Sequence, residues 1–306
     1  MKRKNYKSPI LLFSAALIWG TAFVAQSQST GRIGPYFFNA CRFFLGMLVL
    51  IPVILLVDRM RKKLLPDSSD LPSAKSEYKA AERKNLLIGG LVCGVLMFIS
   101  SAFQQVGLQY TTAGKSGFIT ALYIVLVAIF GLFFGRKPSK SIILAIFLAV
   151  IGLYLLCIKE GFSINKGDII TLGCSVGFSF HILAVDYFSP KVDGIKLSCI
   201  QFAVAGLISL IPAFLFETPA VSQIWNAGFQ IFYLGVFSSG VAYTFQIVGQ
   251  KGMNPTIASL ILSLESVISA LSGWIILGDA LSLKEIAGCL LMFSAIIIAQ
   301  FPEKKK

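Results

Sequence analysis

Glu265 stands in the middle of "LILSLESVISALSGW" (260–274), and Arg42 in "FFNACRFFLGMLVL" (37–50), each with apolar residues on both sides. A carboxylate and a guanidinium in such surroundings have a short list of uses. They can neutralise one another, hold a charged solute, or, for Glu265, take up and release a proton. Amide and hydroxyl groups keep them company at helical spacing. Ser239, Tyr243, Gln246 and Gln250 fall on one stripe, and Ser101, Gln104 and Gln105 cluster in another segment. Such groups line a polar path or hydrogen-bond between helices. Trp19, Asn39, Tyr123 and Trp274 add amphipathic surface suited to the wall of a cavity.

These residues are embedded in an unusually apolar chain. Of 306 residues, 56% are hydrophobic and 13% charged, with mean hydropathy +0.80. A soluble domain averages about 45–50% apolar and 25% charged. The apolar residues fall into long runs, and a bilayer-crossing helix needs about 20 of them. Ten runs are predicted, near 8–26, 36–57, 85–107, 112–134, 140–158, 168–187, 194–216, 225–248, 255–277 and 283–300. The stretch 58–84 is the single long polar interruption and is expected to be a flexible loop. No run is left over for a soluble catalytic domain.

The net charge of +13 follows from where the basic residues lie. With the N-terminus inside and the ten runs alternating, 21 of the 27 Lys and Arg fall on the inner side and 5 on the outer, with Arg42 inside a run. That is the bias the positive-inside rule produces, so no nucleic-acid partner is implied and both termini are expected in the cytoplasm. The first run could pass for a cleaved leader, but it has a counterpart later in the chain, so it is read as a membrane helix. All six cysteines lie within runs without C-x-x-C spacing and read as packing residues. There is neither metal-ligand spacing nor a Gly-rich phosphate loop, so no metal, cofactor or ATP is expected.

The two halves repeat. "FQQVG" (103–107) matches "FQIVG" (245–249), "GMLVLIPVILL" (46–56) matches "GLISLIPAFLF" (206–216), and "SGFITALYIVLVAIFGLFFG" (116–135) matches "ASLILSLESVISALSGWIILG" (258–278). The 58–84 stretch absorbs the change of offset between these pairs. Five helices per half is odd, so the second half enters the bilayer upside down. The expectation is an all-α membrane protein of ten transmembrane helices in two inverted five-helix repeats, 1–158 and 159–306. Such repeats serve alternating access to a site near the midplane.

"LIWGTAFVAQ" in the first run, with "ITALYIVLVAIFGLFFG" and "LILSLESVISALSGWIILGDALS", is similar to the EamA-like branch of the drug/metabolite transporter superfamily over nearly the whole chain. The resemblance implies a multi-pass cell-membrane protein that moves small metabolites, often amino acids or related compounds, outward. It departs from that pattern where Glu265–Ser266 replaces a common Glu-Pro and where Ala128 replaces a common proline.

Two small-residue stripes are read as helix-packing seams: Ser259, Ser263, Ser266, Ala270 and Gly273, and Gly117, Ala121, Ala128 and Gly131. Glu265 lies roughly 100° away from the first, above Ser269 and Ser272. By rise per residue, Arg42 lies roughly 10 Å from the outer face and Glu265 roughly 15 Å from either, so a pair between them is within reach of an arginine side chain. Substrate or proton handling is therefore assigned to Glu265, Arg42, Gln104, Tyr123, Tyr243, Gln246, Asn39 and Trp19. The reading is a secondary transporter of an amino acid-like, amine or other amphipathic solute, a monomer or homodimer in the bilayer, exporting by alternating access with a proton role for Glu265. Its rivals are an uncoupled facilitator or importer, a static structural role for Glu265, and an intramembrane lipid-modifying enzyme. The last would draw on "HILAVD" (181–186), whose H-x4-D spacing resembles that of phospholipid acyltransferases, but on a helix His181 and Asp186 point about 140° apart.

Overall fold

The computed structural model describes residues 7–64, 72–111, 113–157, 164–272, 274–275 and 282–299, and among these it contains helices and turns but no strand. The helices are α1 (Lys7–Ser29), α2 (Pro35–Leu64), α3 (Pro72–Gly107), α4 (Ala113–Ala121), α5 (Tyr123–Phe133), α6 (Lys140–Cys157), α7 (Lys166–Phe188), α8 (Gly194–Phe216), α9 (Val221–Asn226), α10 (Gly228–Phe232), α11 (Thr244–Gln250), α12 (Pro255–Leu262), α13 (Leu264–Ser272) and α14 (Leu283–Ala299). A π-helical segment, Tyr233–Tyr243, joins α10 to α11. Among the described residues eight runs are long and apolar enough to cross a bilayer: Lys7–Ser29, Pro35–Arg61, Lys79–Gly107, Lys115–Phe133, Lys166–Lys191, Gly194–Phe216, Gly228–Gln250 and Pro255–Ser272. The other two of the expected ten correspond to α6 (18 residues) and α14 (17 residues), each of which ends beside residues outside the described set.

The molecule is apolar outside, and its largely apolar interior also holds polar and charged groups. Leu55, Phe133, Phe147, Phe214, Leu215 and Leu290 are exposed on the rim, whereas Gln26, Asn39, Arg42, Gln104, Gln201, Gln246, Gln250 and Glu265 are buried. The apolar exterior suits a lipid solvent, in which buried polar groups must find partners within the bundle.

Helices of the two halves pack on one another throughout. α2 lies on α8, α6 on α14, α3 on α7 and α8, and the Gly228–Gln250 run on α1 and α2. The α2–α8 pair is fastened at both ends. At one end Glu217 accepts from the backbone N–H groups of Tyr36 and Phe37 at 2.8 and 2.9 Å, satisfying two orphan donors at the start of α2. At the other, Asp193 caps α8 and pairs with Arg61 at 2.5 Å, while Asp58 pairs with Lys196 at 2.8 Å. Burial opposes ionisation of Asp193, but N–H groups of Lys196 and Ile195 and the Arg61 guanidinium outweigh it and hold the carboxyl below its usual range.

Two expectations need correction. The polar stretch 58–84 is not one flexible loop: α2 continues to Leu64 and α3 begins at Pro72, leaving only 65–71 outside the described residues. Arg, Lys, Leu, Ala and Glu are strong helix formers, and proline suits the first position of α3. The Gly117 stripe is not a close-packing seam, since a Cβ on Gly117 would meet nothing within 4 Å and one on Gly131 would touch only the Arg136 side chain. The close crossings lie elsewhere: a Cβ on Gly152 would sit 2.9 Å from the Gly288 carbonyl oxygen, and one on Gly288 2.7 Å from that of Gly152. In the other stripe Ser259, Ser263 and Ser266 are buried, but so is nearly all of α12 and α13 around them, and Gly273 lies outside the described residues.

The structure also interrupts two of the helices. Without proline, both the 113–133 and 255–272 helices are nonetheless interrupted, at Leu122 and at Ser263, where ψ relaxes to −10° and −11°. At the first break Leu122 N–H bonds Ile119 O in a tight turn. At the second, Ser266 N–H bonds Ser263 O while the Ser263 hydroxyl donates to Leu260 O, a side-chain bond that competes with the helix ladder. The residues that follow are Tyr123 and Leu264–Glu265.

Candidate functional site

The two breaks flank a cavity of about 50 Å³ at the junction of the halves, part of it continuous with the exterior. α1 supplies Trp19, Ala22, Phe23 and Gln26, α2 supplies Arg42, α3 supplies Gln104, and α4 and α5 supply Thr120 and Tyr123. From the second half come Phe178 and Ile182 of α7, Ser238, Tyr243 and Gln246 of the Gly228–Gln250 run, and Leu262 and Glu265.

Glu265 reaches this wall because α1 crosses α13 at Gly20. A Cβ there would lie 2.6 Å from Ile268 Cβ and 2.7 Å from the Glu265 carbonyl oxygen, so only glycine permits the approach. The carboxylate accepts a long hydrogen bond from the Tyr123 hydroxyl at 3.4 Å. Arg42 is 3% exposed, and its guanidinium lies 4.8 Å from the centroid of the Phe43 ring and 5.9 Å from that of Phe38. Cation–π contact of this kind offsets part of the cost of burying the charge. Its Nε has no partner, and no ion pair joins it to Glu265 among the described residues. The two opposite charges thus face one cavity without neutralising one another directly.

The remaining wall is fixed by hydrogen bonds and ring contacts. Trp19 donates to the Ser238 carbonyl at 3.3 Å and lies 4.6 Å, centroid to centroid, from Tyr243. Gln26 donates to Gln104 at 3.0 Å, and Gln104 to Thr120 at 3.4 Å, closing the part of the cavity nearest the α1–α2 turn. His181 packs against Tyr243 from behind and shares a 3.0 Å hydrogen bond with Gln201. Asp186 pairs with Arg136 instead, so the two polar residues of "HILAVD" share no partner.

Seven of the eight residues singled out from sequence line this cavity: Glu265, Arg42, Gln104, Tyr123, Tyr243, Gln246 and Trp19. Asn39 does not; it is fully buried on α2 with both amide atoms unpartnered. Trp274 is half exposed and lies off the cavity. Ser238 rather than Ser239 faces inward, because the π-helical turn shifts the α-periodic stripe. Gln26, Thr120, Phe178 and Phe23 were missed. Gln26 and Thr120 carried a signal, each being a polar side chain inside an apolar run, whereas the phenylalanines were lost among 26 of their kind.

The chain matches the EamA-like transporter family over residues 7–158 and 165–300. An archaeal protein of Archaeoglobus fulgidus, named an uncharacterized transporter, is 28% identical over 296 residues, covering 96% of this chain and 86% of that one. The uncharacterized transporter YoaV of Bacillus subtilis is 22% identical, with 95% of each chain covered. A solved crystal structure at 19% identity shares the fold, with a TM-score of 0.74 over 96% of both chains.

Proposed function

Because the chain belongs to the EamA-like transporter family and is a multi-pass membrane protein, we propose that it exports a small solute bearing both an amine and a carboxylate, by alternating access with a proton exchanged at Glu265. The observation that carries this is one cavity walled by a guanidinium and a carboxylate that do not pair with each other. Arg42 receives the carboxylate of the solute and Glu265 its ammonium, while Trp19, Phe23 and Phe178 take its apolar part. When the solute leaves, Glu265 takes a proton, since an unpartnered charge in a helix bundle costs about 2.5–3.5 kcal/mol on insertion scales.

The same reading treats 1–158 and 159–306 as inverted repeats in the cell membrane with both termini cytoplasmic. Supporting it are the basic residues concentrated on one side, the packing of α2 on its counterpart α8, and helix breaks at nearly equivalent places in the repeat beside the cavity. Discontinuous helices at such sites are a recurrent feature of transporters.

The test uses purified protein in liposomes with a pH dye inside, challenged with amino acids, amines, nucleosides and sugars. Amino-acid flux accompanied by proton movement is expected, and Glu265→Gln should abolish the proton movement at unchanged protein level. Flux with coupling intact in that variant overturns the role of Glu265, and flux without any proton movement favours an uncoupled facilitator.

A further inference from the structure

A second, larger recess of about 590 Å³ lies on the outside of the bundle, open to the exterior. Val92 and Leu96 of α3 form one wall, Phe134 beyond α5 forms the other, and Phe180 and Ala184 of α7 form the floor. α3 and α5 both pack on α7 rather than on each other, which leaves the trough between them. Val92, Phe134, Phe180 and Tyr187 are all substantially exposed, so in a bilayer this trough meets acyl chains.

Charge gathers at one end of it. Arg136 pairs with Asp186, whose side chain is largely buried while that of Arg136 is 44% exposed. Lys191 stands over the face of Tyr187, and Lys137 is exposed beside Arg136. The Arg136–Asp186 pair thus closes the apolar trough, with Lys191 over Tyr187 of its lining and Lys137 next to Arg136 in the chain. A guanidinium has five N–H donors, so its bond to Asp186 leaves Arg136 able to meet a phosphate as well.

We propose that this trough is a binding site for one anionic glycerophospholipid, its acyl chain lying between α3 and α5 and its phosphate meeting Arg136, Lys137 and Lys191. A zwitterionic lipid fits the apolar walls equally well but gains nothing from the two cations that Asp186 leaves unneutralised. Basic clusters between membrane helices recognise anionic headgroups in this way. Two unneutralised basic residues near an anionic group correspond to a preference of about thirty-fold.

The test is native mass spectrometry of the purified, delipidated full-length protein given equimolar phosphatidylglycerol and phosphatidylcholine of identical chains. A single retained phosphatidylglycerol, favoured about thirty-fold, is expected. Lys137→Gln with Lys191→Gln, which leaves the Arg136–Asp186 pair untouched, should bring the two lipids close to parity. Equal retention by the wild type, or an undiminished preference in the double variant, overturns the proposal. Phosphatidylglycerol with a photoreactive acyl chain locates the site without any variant: cross-links are expected in peptides spanning 92–96 and 180–188, and cross-links confined to other peptides refute it.

Discussion

Replacing Gln104 by leucine, and separately Gln246 by leucine, sets two residues of the same repeat position against each other. Gln104 accepts from Gln26 at 3.0 Å and donates to Thr120 at 3.4 Å. The residue in the place of Thr120 in the second repeat is Leu262, which cannot hydrogen-bond, and the buried Oε1 of Gln246 has no partner. Interhelical hydrogen bonds within membranes average about 0.6 kcal/mol, so two contribute about 1 kcal/mol. Stranding the buried Gln26 amide adds about 1 kcal/mol more. Gln104→Leu should therefore destabilise the protein by about 2 kcal/mol, whereas Gln246→Leu removes an unsatisfied acceptor and should be neutral or stabilising. Reversible unfolding of the purified variants in mixed micelles measures both. A Gln246→Leu variant as destabilised as Gln104→Leu would refute the assignment of the Gln26–Gln104–Thr120 chain, as would full additivity of Gln26→Leu with Gln104→Leu.

At the α6–α14 crossing, Gly152→Ala forces a methyl to 2.9 Å from the Gly288 carbonyl oxygen, backbone that cannot swing aside. A loss of about 1–3 kcal/mol is expected in the same unfolding assay. Gly117→Ala, with nothing within 4 Å, should be neutral or gain up to about 1 kcal/mol from helix propensity. Asp193→Ala removes the α8 cap and should cost about 1–2 kcal/mol, while Asp193→Asn retains the cap and loses only the charge. Because the folded state holds the Asp193 carboxyl below its usual range, its contribution is present above the ordinary carboxylate value and fades as pH falls through the lowered one. Unfolding of the Asp193→Asn variant across that acidic window should lack this component.

How far the sequence reached depended on the kind of signal. Runs of apolar residues mark bilayer crossings because lipid imposes length and composition together, and among the described residues eight of the ten expected runs are long and apolar enough to cross. Arg42 and Glu265 stood out for the same reason, as charges too costly to keep in a span without a use. The interruptions at Leu122 and Ser263 left no such mark. With no proline to announce them, they arise from single-residue changes in ψ and, at Ser263, from a hydroxyl bonding back along the chain. The helical ends of 58–84 were hidden by the opposite error, since polarity was read as looseness although its residues favour helix. Close crossings were legible only as glycines, and which glycines touch a neighbour depends on helix pairing that composition does not specify: Gly152 and Gly20 do, Gly117 does not.

The crossing at Gly20 ties several parts of the cavity to one rigid body. α1 is continuous from Lys7 to Ser29; it carries Trp19 bonded to Ser238, Gly20 seated on the backbone of Glu265, and Gln26 bonded to Gln104. Under the alternating access proposed above it would act as a crankshaft, because a tilt that frees Gln26 at one end also drags the wall beside the carboxylate and the indole bond at mid-height. Opening of the cavity and displacement of its acidic group would then be a single stroke rather than two events awaiting coordination.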